Sequence, residues 1–232
     1  MATLDARLLA IDLETGEVRW NVEMHDYKIG YSATSAPLIV GDLVVTGIAG
    51  GEYAARGFVD AYDTSTGNLE WRRYTVPVAG EPGVETWEGD SWKTGGGPTW
   101  STGTYDPQTN LIYWPVGNPS PDWNGDARLG DNLYTNSVLA LRPETGELEW
   151  YFQFTPHDVW DYDATNGIVV ADVEFDGKTV RALMQANRNG YVYTLDATTG
   201  KFLHAFQYTD RLNWSKGLDE NGRPDVDPRY VP

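Results

Sequence analysis

The chain has 232 residues and no cysteine, which suits one large all-β domain and excludes structural disulfides and cysteine-ligated zinc. Its formal charge of −17, from 34 acidic and 17 basic residues, disfavours nucleic acid and anionic membrane surfaces as partners. No apolar run approaches the roughly 18 residues that span a bilayer, and the first residues lack the basic and apolar regions of a signal peptide.

The first predicted elements belong to a pattern that recurs four times along the chain. It reads AIDLETGEVRW from Ala10, AYDTSTGNLEW from Ala61, ALRPETGELEW from Ala140 and, more weakly, TLDATTGKFLH from Thr194. Each copy predicts a short apolar strand, a turn whose glycine takes a left-handed conformation, and a second strand. In the first three copies the second strand carries a tryptophan, which we expect to pack on a neighbouring unit. Repeats of this length indicate a propeller or a similar array.

Further hairpins lie between these copies. Gly41-Asp42 and Asp176-Gly177 each stand between two strand-forming runs and predict two-residue turns. The long interval between the second and third copies holds one more hairpin, around Pro107 to Asn110, and loops rich in Gly, Pro and Asn, where binding sites tend to be built. No long amphipathic helix is predicted. The expected fold class is all-β, with four-stranded sheets in succession.

Five segments of the chain, in this order, resemble the quinoprotein alcohol dehydrogenases, which use pyrroloquinoline quinone (PQQ). They are TSAPLIVGDLVVTGIAGGEYAARGFVDAYD, GGGPTWSTGTYDP, VGNPSPDWNGD, TPHDVWDYDATN and ANRNGYVYTLD. The tryptophan-bearing repeat resembles the tryptophan-docking motif of the same family. The resemblance implies that residues 1–232 form one partial quinoprotein domain, about four blades of an eight-bladed β-propeller with PQQ and a metal ion near its axis.

The resemblance also implies a set of PQQ contacts. It gives Thr34 a hydroxyl contact, places Gly51 beside the cofactor, makes the Trp100 ring the floor under the quinone, and directs Arg188 to the quinone oxygens. From the residues alone, Thr34 is equally an ordinary strand residue and Gly51 a turn glycine. Trp100 is equally a docking tryptophan and Arg188 a surface arginine. We expect Gly51 and its neighbour to let the backbone approach a ligand, and Gly95–Gly97 to leave room beside the tryptophan ring.

Four oxygen-bearing side chains are implied as metal ligands, namely Glu52, Asn118, Asp161 and Asp163. Without the resemblance, Glu52 is a solvated acid after a glycine turn and Asn118 an ordinary turn residue. Asp161 is also implied as the catalytic base, with Arg188 donating to its carboxylate.

The segment that holds the two aspartates mixes acids with large rings. If it is extended, residues two apart point to one side, so Asp161 and Asp163 face one ion while Trp160 and Tyr162 point into packing. Asp158 is interpreted as structural. An aspartate at the position of Asp163 resembles the lanthanide-dependent members of the family, because a trivalent ion needs one more negative ligand than Ca²⁺. Calcium, or a solvent-exposed Asp163 without a role, remains the alternative.

The function implied is PQQ-dependent oxidation of a small primary alcohol to an aldehyde in the bacterial periplasm. Asp161 takes the proton, hydride passes to the metal-activated quinone, and electrons leave to a c-type cytochrome. The alternatives are a non-catalytic propeller that binds proteins and an inactive fragment. Because about four blades do not close a ring, we also expect two copies to associate and complete it.

Overall fold

The computed structural model describes all 232 residues, Met1–Pro232, and consists of strands, turns and short 3-10 helices. The all-β prediction is therefore confirmed. Sixteen strands form three four-stranded antiparallel sheets, with a two-stranded sheet before them and another after them in the chain. In every sheet, strands adjacent in sequence are adjacent in space, which is the up-and-down order of a propeller blade.

The strand bounds follow the chain. The first sheet pairs β1 (Arg7–Ile11) with β2 (Val18–Glu23). The second contains β3 (Leu38–Val40), β4 (Leu43–Gly47), β5 (Phe58–Asp63) and β6 (Leu69–Tyr74). The third contains β7 (Thr104–Asp106), β8 (Leu111–Pro115), β9 (Ser137–Leu141) and β10 (Leu148–Gln153). The fourth contains β11 (Val169–Phe175), β12 (Lys178–Ala186), β13 (Tyr191–Asp196) and β14 (Phe202–Gln207), and the fifth pairs β15 (Ser215–Leu218) with β16 (Pro224–Val226).

Six 3-10 helices lie in the connections, at Tyr27–Ile29, Gly51–Tyr53, Val84–Thr86, Ser91–Thr94, Gly125–Ala127 and Pro228–Tyr230. None of these helices has the length and apolar character that a membrane-spanning helix requires. Both predicted two-residue turns are present, because Val40 pairs with Leu43 and Phe175 pairs with Lys178.

The repeat tryptophans join each sheet to the next one. Each indole N–H donates to a backbone carbonyl in the turn of the following repeat: Trp20 to Thr64 at 3.0 Å, Trp71 to Pro143 at 2.7 Å and Trp150 to Ala197 at 3.1 Å. The ring also lies against that turn's glycine, which is Gly67, Gly146 and Gly200 in turn. The predicted packing of tryptophan on a neighbouring unit is confirmed, and the fourth copy departs from it, since there the Phe202 ring packs on Gly222.

The hydrophobic core lies between successive sheets. One buried cluster joins Val45 and Val59 of the second sheet to Ile112 and Leu139 of the third. Another joins the third sheet to the fourth, where Trp150 packs with residues such as Tyr193. The stacked sheets thus form a rigid frame from which the connecting loops project.

Candidate cofactor and cation site

All the predicted site residues lie at the same end of the sheets. In an up-and-down sheet, the loop between the second and third strands and the connection to the next sheet leave from one end, whereas the remaining hairpin turns leave from the other. Glu52, Asn118 and Arg188 lie in the loops β4–β5, β8–β9 and β12–β13, and Thr34, Trp100 and the aspartates lie in connections between sheets. The topology therefore gathers these segments on one face, which we call the loop face.

Asn118 is the most constrained of these residues and is 1% exposed. Its backbone N–H donates to Asp163 Oδ1 at 2.9 Å, and its Nδ2 donates to Asp122 Oδ1 at 2.5 Å and to the Pro119 carbonyl at 3.2 Å. Its own Oδ1 is buried and has no hydrogen-bond partner. A buried acceptor without a donor, among carboxylates, is the environment that an oxygen-binding cation satisfies.

Asp163 is buried beside this amide. Its Oδ2 lies 3.6 Å from a guanidinium nitrogen of Arg188, and its Oδ1 occupies the space that a Cβ on Gly117 would need. Burial raises the pKa of Asp163 to about 7, and the charge of Asp161 adds to this, while the Asn118 N–H and the charge of Arg188 oppose it. A carboxylate whose charge is so poorly compensated gains from a cation.

The other acids of the loop face act on one another electrostatically. The pKa of half-buried Asp161 is raised by burial and by the charges of Asp158 and Glu52, against the charge of Arg188. Burial, then the charges of Asp161 and Glu52, raise the pKa of Asp122 to about 6. No three acidic or histidine side chains converge as a preassembled metal cluster, so the carboxylates are neighbours rather than a closed coordination sphere.

Asp122 was not predicted as a site residue, although a carboxylate four residues after the implied ligand Asn118, in the same loop, was an available signal. Arg128 was not predicted either; it is fully buried and has no marker in the sequence.

Arg128 fastens the two acidic loops to each other. Its guanidinium donates to the backbone carbonyls of Pro121 at 2.9 Å, Asp122 at 2.6 Å and Asp158 at 2.5 Å, and to Asn132 Oδ1 at 2.8 Å. Because carbonyls of both loops share one planar donor, the loop of Asn118 and the loop of Asp161 are held in a fixed relation.

The prediction of an extended segment around the two aspartates is wrong. Asp161 and Asp163 have φ of +59° and +49°, in the left-handed region, and no strand covers them. The turn is stabilised by Asp158, whose carboxylate accepts the backbone N–H groups of Trp160 at 2.9 Å and Tyr162 at 2.8 Å. Asp158 is structural, as expected, and a hydrogen-bonded turn replaces strand alternation because these local donors fit a carboxylate.

The aromatic rings of that segment do separate from its acids. Trp160 and Tyr162 pack against Trp214, with ring centroids 5.0 and 5.2 Å from it. The expected division into a packed row and an acidic row is present, although the backbone geometry that creates it differs from the expectation.

The expected approach of a ligand to Gly51, and the room expected beside the Trp100 ring, stay predictions, while the Cβ side of the loop-face glycines is closely packed. A Cβ on Gly51 would meet the Pro98 ring at 2.8 Å, and one on Gly96 would meet the Ser120 nitrogen at 2.9 Å. Glycine at these positions therefore lets segments of the loop face approach one another closely. Trp100 is 36% exposed, and its carbonyl accepts the Thr34 hydroxyl at 3.0 Å.

Arg188 is exposed, and its ion pair is formed with Asp163 rather than with the expected Asp161. Its charge still acts on Asp161, whose pKa it lowers against the effect of burial. The guanidinium therefore lies beside both aspartates and remains accessible from solvent.

Comparison with known proteins decides the family. The family model described as "PQQ: Glucose/ethanol/alcohol dehydrogenase, beta-propeller domain" matches residues 1–210. The quinoprotein alcohol dehydrogenase PedH of Pseudomonas putida is 44% identical over an alignment of 238 positions, which covers 96% of this chain and 40% of that protein. The chain belongs to the PQQ-dependent alcohol dehydrogenase family.

Other family members match over the same extent. The lanthanide-dependent methanol dehydrogenase of Methylorubrum extorquens is 38% identical over 97% of this chain and 41% of that protein. A solved europium-containing methanol dehydrogenase superposes with a TM-score of 0.93 at 38% identity, over 98% of this chain and 43% of that chain. The fold is therefore a quinoprotein β-propeller, and the chain spans about 40% of the length of these relatives.

Proposed function

We propose that the protein oxidises a small primary alcohol to an aldehyde, using PQQ and a cation bound at the loop face. One observation carries the proposal: the buried Oδ1 of Asn118 has no hydrogen-bond partner, while the N–H groups of the same residue donate to the carboxylates of Asp163 and Asp122. A propeller that served only as a protein-binding scaffold has no need for an unsatisfied buried acceptor beside two poorly compensated aspartates.

The residues that would hold the cation are Glu52, Asn118, Asp161 and Asp163. All four offer oxygen, as hard cations require. With three carboxylates and one amide, the set carries the negative charge that suits a trivalent lanthanide better than Ca²⁺. The relatives named lanthanide-dependent, at 38% and 39% identity, support this preference.

The residues that would hold PQQ are Thr34, Gly51, Trp100 and Arg188. The exposed indole of Trp100 offers a flat apolar surface, and the Thr34 hydroxyl fixes the backbone that carries it. When bound, PQQ supplies a two-electron acceptor and the cation supplies a Lewis acid.

Two side chains would act on the substrate. Half-buried Asp161 takes the hydroxyl proton of the alcohol onto its carboxylate, for which its raised pKa makes it a stronger base than an ordinary aspartate. Arg188 stabilises the negative charge beside Asp161 and Asp163, and keeps donors free because it is exposed.

The proposal extends to partners and location. A c-type cytochrome in the periplasm would accept the electrons, as suggested by a relative named methanol dehydrogenase [cytochrome c] subunit 1 from Paracoccus denitrificans, at 39% identity. A second copy of the chain would complete the ring. In its support, the turn of Gly16 has no ring packed on it, unlike the later repeats. Light scattering should then give twice the chain mass of 25.8 kDa, and a monomer mass would remove the second copy from the proposal.

Titration with PQQ tests the function. The purified chain is titrated in the presence of La³⁺ or Ca²⁺, followed by the absorbance of the quinone and by dye reduction with a primary alcohol. We expect saturable binding that is tighter with La³⁺, and dye reduction that Asp161→Asn abolishes while PQQ binding persists. Absence of saturable PQQ binding with either ion would refute the proposal. Equal responses to both ions would remove only the lanthanide preference.

A further inference from the structure

The amide of Asn118 has to be turned the right way round to serve a cation. Only its Oδ1 can act as a ligand, because Nδ2 carries two hydrogens and no free lone pair. In the structure both of those hydrogens are engaged, one by the Pro119 carbonyl and one by the carboxylate of Asp122. The Oδ1 atom is consequently left as the unpartnered end of the amide.

We propose that Asp122 is a positioning residue of the cation site, which fixes the Asn118 amide so that Oδ1 is presented to the cation. This inference rests on the proposed function. Its geometric basis is the charge-assisted hydrogen bond that Asn118 Nδ2 donates to Asp122 Oδ1.

The alternative orientation of the amide is strongly disfavoured by this carboxylate. Rotating the amide by half a turn would place Oδ1 against Asp122 Oδ1 and against the Pro119 carbonyl, so that acceptors would face acceptors. Two hydrogen bonds would be lost, one of them to a charged group. Without Asp122, only the longer 3.2 Å contact to the adjacent carbonyl distinguishes the two orientations.

The position of Asp122 is itself fixed. The Arg128 guanidinium donates to the Asp122 backbone carbonyl at 2.6 Å and to the carbonyl of Pro121 at 2.9 Å. Arg128 is fully buried, so this anchoring is rigid. Residues that orient a metal ligand through a hydrogen bond typically change metal affinity about 10–100-fold when they are mutated.

Terbium luminescence tests the inference without any assay of activity. Tb³⁺ alone is titrated into the chain, and its tryptophan-sensitised emission gives the affinity. Emission lifetimes in H₂O and D₂O give the number of water molecules on the ion. Three variants are compared with the wild type: Asp122→Ala, Asp122→Asn and Asp126→Ala. Asp126 is an exposed aspartate of the same loop, and its side chain makes no hydrogen bond. Asp126→Ala therefore removes one negative charge, as Asp122→Ala does, without removing a hydrogen bond.

Asp122→Ala is expected to bind Tb³⁺ about 10–100-fold more weakly and to gain about one bound water where Asn118 Oδ1 is lost. Asp122→Asn keeps an oxygen that accepts from Asn118 Nδ2, so the number of bound water molecules should remain that of the wild type. Its Tb³⁺ affinity should lie between those of the wild type and Asp122→Ala. Asp126→Ala should match the wild type. Circular dichroism and the melting temperature check that all variants are folded.

Two results would overturn the positioning role. The first is an Asp122→Ala affinity equal to that of Asp126→Ala. The second is an equal loss of affinity in Asp122→Ala and Asp122→Asn with no gain of bound water in either variant, which would mean that Asp122 acts through its charge only. If the wild type shows no sensitised emission, the proposed cation site itself is refuted, and the inference with it.

Discussion

The pKa values of Asp63 and Asp163, which lie at opposite ends of the sheets, are shifted in opposite directions. At the end that carries the repeat turns, which we call the docking face, Asp63 accepts hydrogen bonds from Ser65 and Thr66, and these lower its pKa to about 2. At the loop face, burial raises the pKa of Asp163 to about 7. The repeat turn of Asp63 satisfies that charge locally, whereas at the loop face the pKa of Asp163 stays raised although Arg188 lies 3.6 Å away.

The backbone shows the same contrast. The left-handed position of each repeat turn is occupied by glycine, whereas the loop face has glycines such as Gly96 and Gly97 and also Asp161 and Asp163 in that region. A non-glycine residue in that region costs roughly 1–2 kcal/mol. Strain and uncompensated charge persist where the surrounding structure is rigid enough to impose them. We infer that the packed docking turns hold the frame and the loop face uses it for binding.

Removing a docking tryptophan is expected to have the largest effect on this frame. Trp150 is buried, packs on Gly200 and donates to the Ala197 carbonyl at 3.1 Å. Trp150→Ala should lower the free energy of unfolding by about 3–5 kcal/mol. Urea denaturation followed by circular dichroism measures the change.

The matched control for this prediction is a tryptophan of the loop face. Trp123 is 65% exposed, and Trp123→Ala should change the free energy of unfolding by about 0.5 kcal/mol or less. If both substitutions had similar effects, the docking face would not be the part of the molecule that supplies stability.

A pair of glycine substitutions separates ring packing from backbone strain. Gly16 and Gly200 occupy the same turn position, with φ of +74° and +73°. A Cβ on Gly200 would meet the Trp150 ring at 2.5 Å, whereas a Cβ on Gly16 meets nothing within 4 Å. Gly16→Ala should therefore cost only the backbone strain, about 1 kcal/mol.

Gly200→Ala carries the same strain and must also displace the tryptophan ring, so we expect a loss of about 2–4 kcal/mol. The difference between the two unfolding free energies, from parallel urea curves, isolates the docking contact. Equal losses would show that the glycine is required for its conformation alone.

The docking face could be predicted from sequence because its determinants are local and repeated. A glycine at a fixed distance before a tryptophan, copied along the chain, specifies both the turn and the ring that covers the next turn. The weak fourth copy already lacked the tryptophan, and the structure fills that role with Phe202, which no spacing rule indicated.

The loop face could be predicted only in part. The resemblance named Asn118, Asp161 and Asp163, and the topology places their loops at one end of the sheets. The prediction of an extended strand around Asp161 and Asp163 was wrong, because backbone N–H groups that donate to Asp158 stabilise a turn there instead. Arg128 stayed hidden because its partners are mostly backbone carbonyls, which sequence does not reveal.

The pH dependence of stability gives the smallest and most specific test of the contrast. Asp163 has a folded pKa of about 7, above the value near 4 of an unfolded aspartate, so the folded chain binds more protons between these values. The contribution of Asp163 to the free energy of unfolding is fully present below about pH 4 and is lost as pH rises through about 7. In the metal-free protein, the wild type should lose about 2 kcal/mol more than Asp163→Asn between about pH 5 and 7.

Asp63 on the docking face is expected to show the opposite pH dependence of stability, which the Asp63→Asn variant tests. Its folded pKa is lowered to about 2, so its contribution is present above about pH 4 and is lost as pH falls toward 2. Between about pH 5 and 7 the Asp63→Asn profile should run parallel to that of the wild type. Unfolding curves at several pH values, with a chelator present, measure all three proteins. If Asp163→Asn also ran parallel to the wild type, the loop face would carry no uncompensated charge, and the contrast between the two faces would have no electrostatic basis.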